Sequence, residues 1–160
     1  MPMTQFGTVD TIMFVVANAV NLLMIGIFLS RPAGRHRVEH ILGLILLALT
    51  LPAGAIVIIN AANGREWWFV ALPALLVVFL AVETILDYIM KLDFRRTRLL
   101  GPYLLLYYLA LMGMIGYAFL ASDLYGFITL ATYFLQLGAT AYSYRKVGHG
   151  RPPADRDEQL

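Results

Sequence analysis

Four long stretches of the chain contain no Asp, Glu, Lys, Arg or His, and this feature restricts the fold more than any other. They cover residues 11–29, 41–64, 99–122 and 124–144. A helix needs ~20 mostly apolar residues to cross the hydrocarbon of a bilayer, where it satisfies its own backbone hydrogen bonds. A fifth stretch, residues 67–90, is uncharged as far as Val82. We therefore predict an all-α integral membrane protein, a bundle of five transmembrane helices.

The amino-acid composition supports this prediction and limits the chemistry. Hydrophobic residues make up 60% of the 160 residues and charged residues 14%, whereas about a quarter of a soluble domain is charged. Because cysteine is absent, disulfides, iron–sulfur clusters and thiolate zinc sites are excluded. The sequence contains no phosphate-binding glycine loop or nucleotide fingerprint, and we predict no cofactor.

The predicted spans lie at about residues 10–30, 40–61, 67–90, 100–121 and 124–144, within one transmembrane domain over residues 1–147. No basic region precedes the first apolar run, so we interpret that run as a retained helix and not as a signal peptide. Residues 148–160 are polar and contain proline, and we predict a disordered tail.

The basic residues are distributed very unevenly among the segments that flank the predicted spans. Eleven of the twelve Lys and Arg residues fall on one side, and Arg65 alone falls on the other. Because basic residues near membrane ends stay cytoplasmic, we predict an outside N-terminus and a cytoplasmic C-terminus. The expected location is the cytoplasmic membrane of a bacterium or archaeon.

The same distribution bears on the expected partners. The excess of basic residues does not indicate nucleic acid, because the bases cluster at helix ends, where they meet anionic lipid headgroups. Membrane lipids are therefore expected partners. Five spans cannot divide into two equal inverted repeats, so a symmetric transporter would need a second copy, and we expect a homodimer or higher homo-oligomer.

Two carboxylates, Glu83 and Asp87, lie four residues apart in the last third of the third predicted span. At ~1.5 Å per residue, Glu83 lies about 8 Å from the midplane, and Asp87 lies on the same face one turn nearer the interface. Low dielectric disfavours the charged form of a carboxyl, which can then exchange a proton or cation near neutral pH. The alternative is structural: Glu83 is neutral and bonded to another helix, and Asp87 pairs with Lys91 or Arg95.

Uncharged polar residues occur at comparable depths. Asn18 and Asn21, three residues apart in the first span, and Gln136 in the fifth are predicted to contribute to the same ion, proton or substrate site. Further candidates in this zone are Thr50, Tyr107, Tyr108 and Thr132. The alternative is that these side chains hydrogen-bond between helices and stabilise their packing, by about 1 kcal/mol each.

Two short motifs add weaker indications. TLPAG, residues 50–54, places a proline in the middle of the second span, where it permits a kink and leaves one carbonyl without its helical donor. That carbonyl could coordinate an ion, or it could be satisfied by Thr50 or a neighbouring helix. His36, Glu39 and His40 have the H-x-x-E-H spacing, in which two histidines share a zinc ion beside a glutamate base. A metal site would need a third ligand, and the alternative is that these residues lie at headgroup level.

The favoured hypothesis is a small membrane transporter or channel in which Glu83 binds a proton or cation. A second hypothesis is a non-catalytic membrane subunit, or an assembly or lipid-binding protein. A third, less favoured, is an enzyme acting on a lipid at the membrane interface. Its headgroup site would contain Arg95, Arg96 and Arg98 beside Asp87 and Asp93.

Overall fold

The computed structural model describes residues 7–90 and 98–147, except the side chains of Asp87 and Tyr88. The helices are α1 (Gly7–Ser30), α2 (His36–Ala48), α3 (Thr50–Ala62), α4 (Trp68–Glu83), a π-helix (Thr84–Ile89), α5 (Leu100–Ala121) and α6 (Asp123–Val147). No strand occurs within these described ranges. Five helical segments are long and apolar enough to cross a membrane, the second formed by α2 and α3 together. The prediction of an all-α protein with five such helices is confirmed.

The second span is interrupted near its middle. Between α2 and α3, the N–H of Leu49 bonds to the carbonyl of Leu46 at 3.1 Å, which is a tighter turn than an α-helix makes. The cause is Pro52, which has no N–H for the carbonyl of Ala48 and whose ring crowds that carbonyl. The interruption therefore lies three residues before the proline, at the end of α2.

The third span changes from α-helix to π-helix near its C-terminal end. From Thr84 to Ile89 the chain is π-helical, and the N–H of Met90 bonds to the carbonyl of Ile85 five residues earlier at 2.8 Å. Such segments are rare and often lie at functional sites. Glu83 is the last α-helical residue before this change.

Two glycines end helices in the left-handed conformation that residues with a Cβ rarely adopt. Gly34 has φ 67° and Gly64 has φ 63°. After each, the next N–H bonds back across the turn, from Arg35 to Ser30 and from Arg65 to Asn60, both at 3.1 Å. This pattern is the Schellman motif. The second motif directs the chain so that Arg65 returns over the end of the bundle.

The core lies between α1 and α5, the two most buried spans. α1 packs against α2 and α6, while α5 packs against α4 and α6. α4 and α5 approach closely at Gly113, where an added Cβ would lie only 3.2 Å from the carbonyl oxygen of Leu72. Small residues allow such close packing in membranes. The α2–α3 span is the least buried of the five.

The bundle has two chemically different ends. We call the end where α1 finishes and α5 begins the basic end, because Arg31, Arg98, Arg145 and Lys146 lie there. We call the opposite end, where α3 joins α4, the Arg65 end. The predicted tail, residues 148–160, lies outside the described residues.

Candidate functional site

Glu83 is positioned toward a neighbouring helix and not toward the open surface. Its side chain is half-buried, and the hydroxyl of Tyr103 on α5 donates a hydrogen bond to its carboxylate. The ring of Phe79, one turn earlier on α4, lies 5.8 Å from the ring of Tyr103, measured between centroids. The carboxylate therefore has a protein partner at the junction of α4 and the π-helix.

Two apolar grooves lie on either side of this junction. One, of about 560 Å³, is lined by Ala48, Thr50 and Leu51 at the interruption of the second span and by Thr84 and Ile85 of the π-helix. The other, of about 310 Å³, lies between the third and fourth spans. Its lining residues are Val82, Leu86, Leu99, Pro102, Tyr103 and Leu106. The irregular parts of two neighbouring spans thus face one groove, and Tyr103 lines the other.

The remaining predicted residues of this region are described only in part. Asp87 lies on the π-helix, but its side chain is not described. Lys91, Asp93, Arg95 and Arg96 lie outside the described residues. Arg98, just before α5, is exposed. The lipid headgroup site proposed for these bases stays a prediction.

Asn18 and Asn21 do not lie with Glu83 but join α1 to α6. The amide of Asn18 donates to the Thr129 hydroxyl at 3.1 Å and accepts from the Thr132 hydroxyl at 2.8 Å. The amide of Asn21 donates to the Thr132 hydroxyl at 2.9 Å. Four polar side chains thus satisfy one another between two helices, as expected for polar residues that stabilise helix packing.

Replacing Asn21 by leucine is expected to lower the free energy of unfolding by about 1 kcal/mol, because interhelical hydrogen bonds in membranes contribute roughly that amount. The measurement is reversible unfolding in mixed micelles with increasing denaturing detergent. Leu22→Ala is the control, because Leu22 is 57% exposed on the same helix. An Asn21→Leu protein no less stable than this control would contradict the role assigned to the amide.

Gln136 forms a further polar group with α5. Its amide donates to the hydroxyls of Tyr107 and of Thr140, the latter at 3.2 Å. The side chain is fully buried. Its Oε1, however, accepts no hydrogen bond from any residue that the structure describes. A buried acceptor without a donor costs ~1–3 kcal/mol, and in native proteins it commonly marks a water or ion position.

The most strongly linked polar cluster was not predicted from the sequence. At the Arg65 end, the guanidinium of Arg65 contacts the carboxylate of Asp10 at 2.6 Å, and both side chains are nearly buried. The hydroxyl of Tyr117 donates to the same carboxylate at 2.8 Å. Asn60 accepts from Arg65 at 3.2 Å, and the guanidinium lies 3.7 Å from the centroid of the Phe69 ring. The cluster ties α1 to α3, α4 and α5.

One sequence signal could have indicated this cluster. Arg65 is the single exception to the charge asymmetry, so its charge serves no orienting role. Asp10 directly precedes a charge-free run. An acidic and a basic residue at the same end of a bundle can form an ion pair. The separation of 55 positions in the sequence makes this particular pair difficult to predict.

The predicted metal-binding motif lies at the basic end. Glu39 forms a salt bridge with Arg31 at 2.6 Å, and His36 lies 3.9 Å from Glu39 with its side chain 87% exposed. His40 is also exposed. Within residues 7–90 and 98–147, no group of three or more His, Asp or Glu side chains could hold a metal ion. Metal binding by His36, Glu39 and His40 stays a prediction.

The chain matches no known family model, no curated protein and no solved structure. Five of its helical segments are long and apolar enough to cross a membrane, and hydrogen-bonded polar groups lie inside the bundle. These features indicate a helical membrane protein.

Proposed function

We propose that the chain is a small membrane transporter or channel in which Glu83 takes up and releases a proton or a cation. The observation that carries the proposal is the hydrogen bond between Tyr103 and Glu83 at the start of the π-helix. Ionisable residues in membrane spans commonly mark ion and proton pathways. On this proposal the basic end faces the cytoplasm, in the membrane of a bacterium or archaeon.

The Glu83–Tyr103 pair supports the proposal because it can persist in either protonation state. A carboxylate accepts a hydrogen bond from the phenol, and a carboxylic acid can donate one to the phenol oxygen. The proton can thus come and go without leaving a buried polar group unpaired. Asp87, one turn further toward the basic end, is the proposed route to the interface.

The helix interruptions also support the proposal. Transport requires a conformational step that exposes the site to each side in turn. The turn at Leu49 and the π-helix at Thr84–Ile89 are the places where two spans depart from α-helical hydrogen bonding. Because both line the 560 Å³ groove, a movement at one changes the packing of the other.

The test is flux through the purified protein in lipid vesicles, with an internal pH dye for protons and tracer ions for Na⁺ and K⁺. Glu83→Gln keeps the shape of the side chain and removes its charge, so we expect flux to fall about tenfold or more while the fold persists. The control is Glu66→Gln, which changes an exposed acid at the opposite end. Unchanged flux in Glu83→Gln, or no flux in the wild-type protein, would refute the proposal.

A second candidate is a non-catalytic subunit or lipid-binding protein. It is favoured by the mutual hydrogen bonding of Asn18, Asn21, Thr129 and Thr132, because side chains that bond to one another in this way can stabilise helix packing without any transport role. The exposed α2–α3 surface would then contact lipid, a partner or a second copy. In that case Glu83→Gln would change thermal stability or oligomeric state, and wild-type vesicles would show no flux.

A further inference from the structure

Helix α6 carries a polar residue on nearly every turn of a single face. The members are three or four positions apart, which places them in one row along the helix. They are Tyr125, Thr129, Thr132, Gln136, Thr140 and Ser143. We call this row the α6 polar face. Only Thr132 and Gln136 among them were candidates from the sequence.

The α6 polar face points into the bundle and extends across most of the membrane. Thr129 and Gln136 are fully buried, and Thr140 and Ser143 are buried as well. At ~1.5 Å per residue, the distance from Tyr125 to Ser143 is about 27 Å, close to the ~30 Å thickness of the hydrocarbon. Lipid-facing positions of the same helix are apolar: Phe127, Phe134 and Leu135 are 60% or more exposed.

Polar side chains of α1 and α5 extend this face into linked hydrogen bonds. At the Arg65 end, the hydroxyls of Thr11 and Tyr125 lie 3.1 Å apart. Asn18 then links Thr129 to Thr132. Toward the basic end, Gln136 links Tyr107 to Thr140. The Thr11–Tyr125 pair is separate from the two larger linked groups, the first around Asn18 and the second around Gln136. These two linked groups are separated by the single helical turn between Thr132 and Gln136.

Gln136 lies where the second linked group begins, and its Oε1 lacks a donor among the described residues. If the amide is turned over, its nitrogen takes that place, so one amide atom lacks a partner in either orientation. A buried water molecule is the usual partner of such a group. This observation is independent of the spacing of the α6 polar face, and it indicates that the buried row is hydrated at this point.

The second linked group also leads toward Glu83. Tyr107, which bonds to Gln136, lies one turn from Tyr103 on α5, and Tyr103 bonds to Glu83. The Phe79 ring contacts both tyrosine rings, with centroid distances of 5.3 Å to Tyr107 and 5.8 Å to Tyr103. The acid and the α6 polar face are therefore neighbours within the bundle.

We propose that the part of the α6 polar face from Thr129 to Thr140, with Asn18 and Tyr107, is a path along which protons pass through the interior of the bundle, and that a water held by Gln136 joins its two linked groups. The inference rests on the proposed function and names the proton as the transported species. Each hydroxyl or water accepts a proton on one side and releases another on the opposite side. Each amide accepts a proton on its oxygen, releases one from its nitrogen and afterwards returns from the imidic acid form to the amide. One proton therefore enters and one leaves without any oxidation or reduction. A metal ion would instead need several oxygen ligands to replace its hydration shell.

The experiment uses the full chain in vesicles with a trapped pH dye, where a K⁺ gradient and valinomycin drive protons inward. Gln136→Leu removes the water-binding amide, and we expect the proton flux to fall about tenfold or more, since each ~1.4 kcal/mol added to a barrier slows a rate tenfold. Thr132→Val removes one hydroxyl at constant shape and is expected to lower the flux without altering the fold. Leu135→Ala, on the lipid-facing side, is the control and should leave flux unchanged.

The outcomes separate this inference from the proposed function. If wild-type vesicles carry no ion at all, both are refuted. If Glu83→Gln abolishes proton flux but Gln136→Leu and Thr132→Val do not reduce it, the path is refuted and the role of Glu83 survives. If wild-type vesicles carry Na⁺ or K⁺ and not protons, the path is refuted as well. Loss of stability without loss of flux in Thr132→Val would assign the α6 polar face to packing alone.

Discussion

Replacing Arg65 by leucine is expected to lower the free energy of unfolding by about 3–5 kcal/mol, the cost of leaving one charge of a buried pair without its partner. The substitution leaves the Asp10 carboxylate nearly buried beside Tyr117. It also removes the contacts of the guanidinium with Asn60 and with the Phe69 ring. The measurement is reversible unfolding in mixed micelles, followed by circular dichroism.

A double-mutant cycle identifies the source of this loss. Asp10→Asn removes the charge that Arg65→Leu would leave unpaired, so the double variant should be more stable than the sum of the two single losses predicts. Arg37→Leu, at an exposed position, is the control and should change stability by no more than about 0.5 kcal/mol. Strict additivity of the two losses would mean that Asp10 and Arg65 do not act as a pair.

Replacing Gly113 by leucine is expected to destabilise the bundle by about 3 kcal/mol or more, at the upper end of what overpacking costs. A Cβ at Gly113 would lie 3.2 Å from the Leu72 carbonyl oxygen and 3.4 Å from a methyl group of Leu75. Because the first of these atoms belongs to the backbone, α4 and α5 would have to separate. Since α4 carries Glu83 and α5 carries Tyr103, their hydrogen bond should be disturbed too.

Gly138→Leu provides the matched control for this prediction. An added Cβ at Gly138 would have no atom of the described residues within 4 Å, and the position is exposed on α6. We expect this variant to unfold within about 1 kcal/mol of the wild-type protein. Equal stability of the two leucine variants would contradict the close packing of α4 against α5 at Gly113.

The number of membrane helices was predictable because it depends on the length of each apolar run, which is a property of the linear sequence. The polar character of Asn18, Asn21 and Gln136 at membrane depth was equally visible. The helix that each of these residues faces could not be predicted. Hydropathy along a nearly uniform apolar helix carries little information about how the helix is rotated about its own axis. The partners of Asn18 on α6 are 111 and 114 positions away.

Two features, the π-helix of the third span and the ion pair formed by the turn between α3 and α4, could not be predicted from the sequence, for different reasons. The π-helix leaves the apolar composition of the segment unchanged, so hydropathy cannot reveal it. The Asp10–Arg65 pair depends on the Schellman turn at Gly64, which directs Arg65 back over the bundle. The position of the interruption in the second span followed more closely from the sequence, because Pro52 acts on a carbonyl at a fixed separation.

The Asp10–Arg65 cluster also makes the helices more firmly connected at the Arg65 end of the bundle than at the basic end. Four helices are fastened together at the Arg65 end through one guanidinium and its partners, whereas the third span loses its regular winding just before the basic end. Because the contacts between helices are stronger at the Arg65 end, we expect the helices to separate more readily at the basic end. We therefore expect water to enter the bundle first at the basic end.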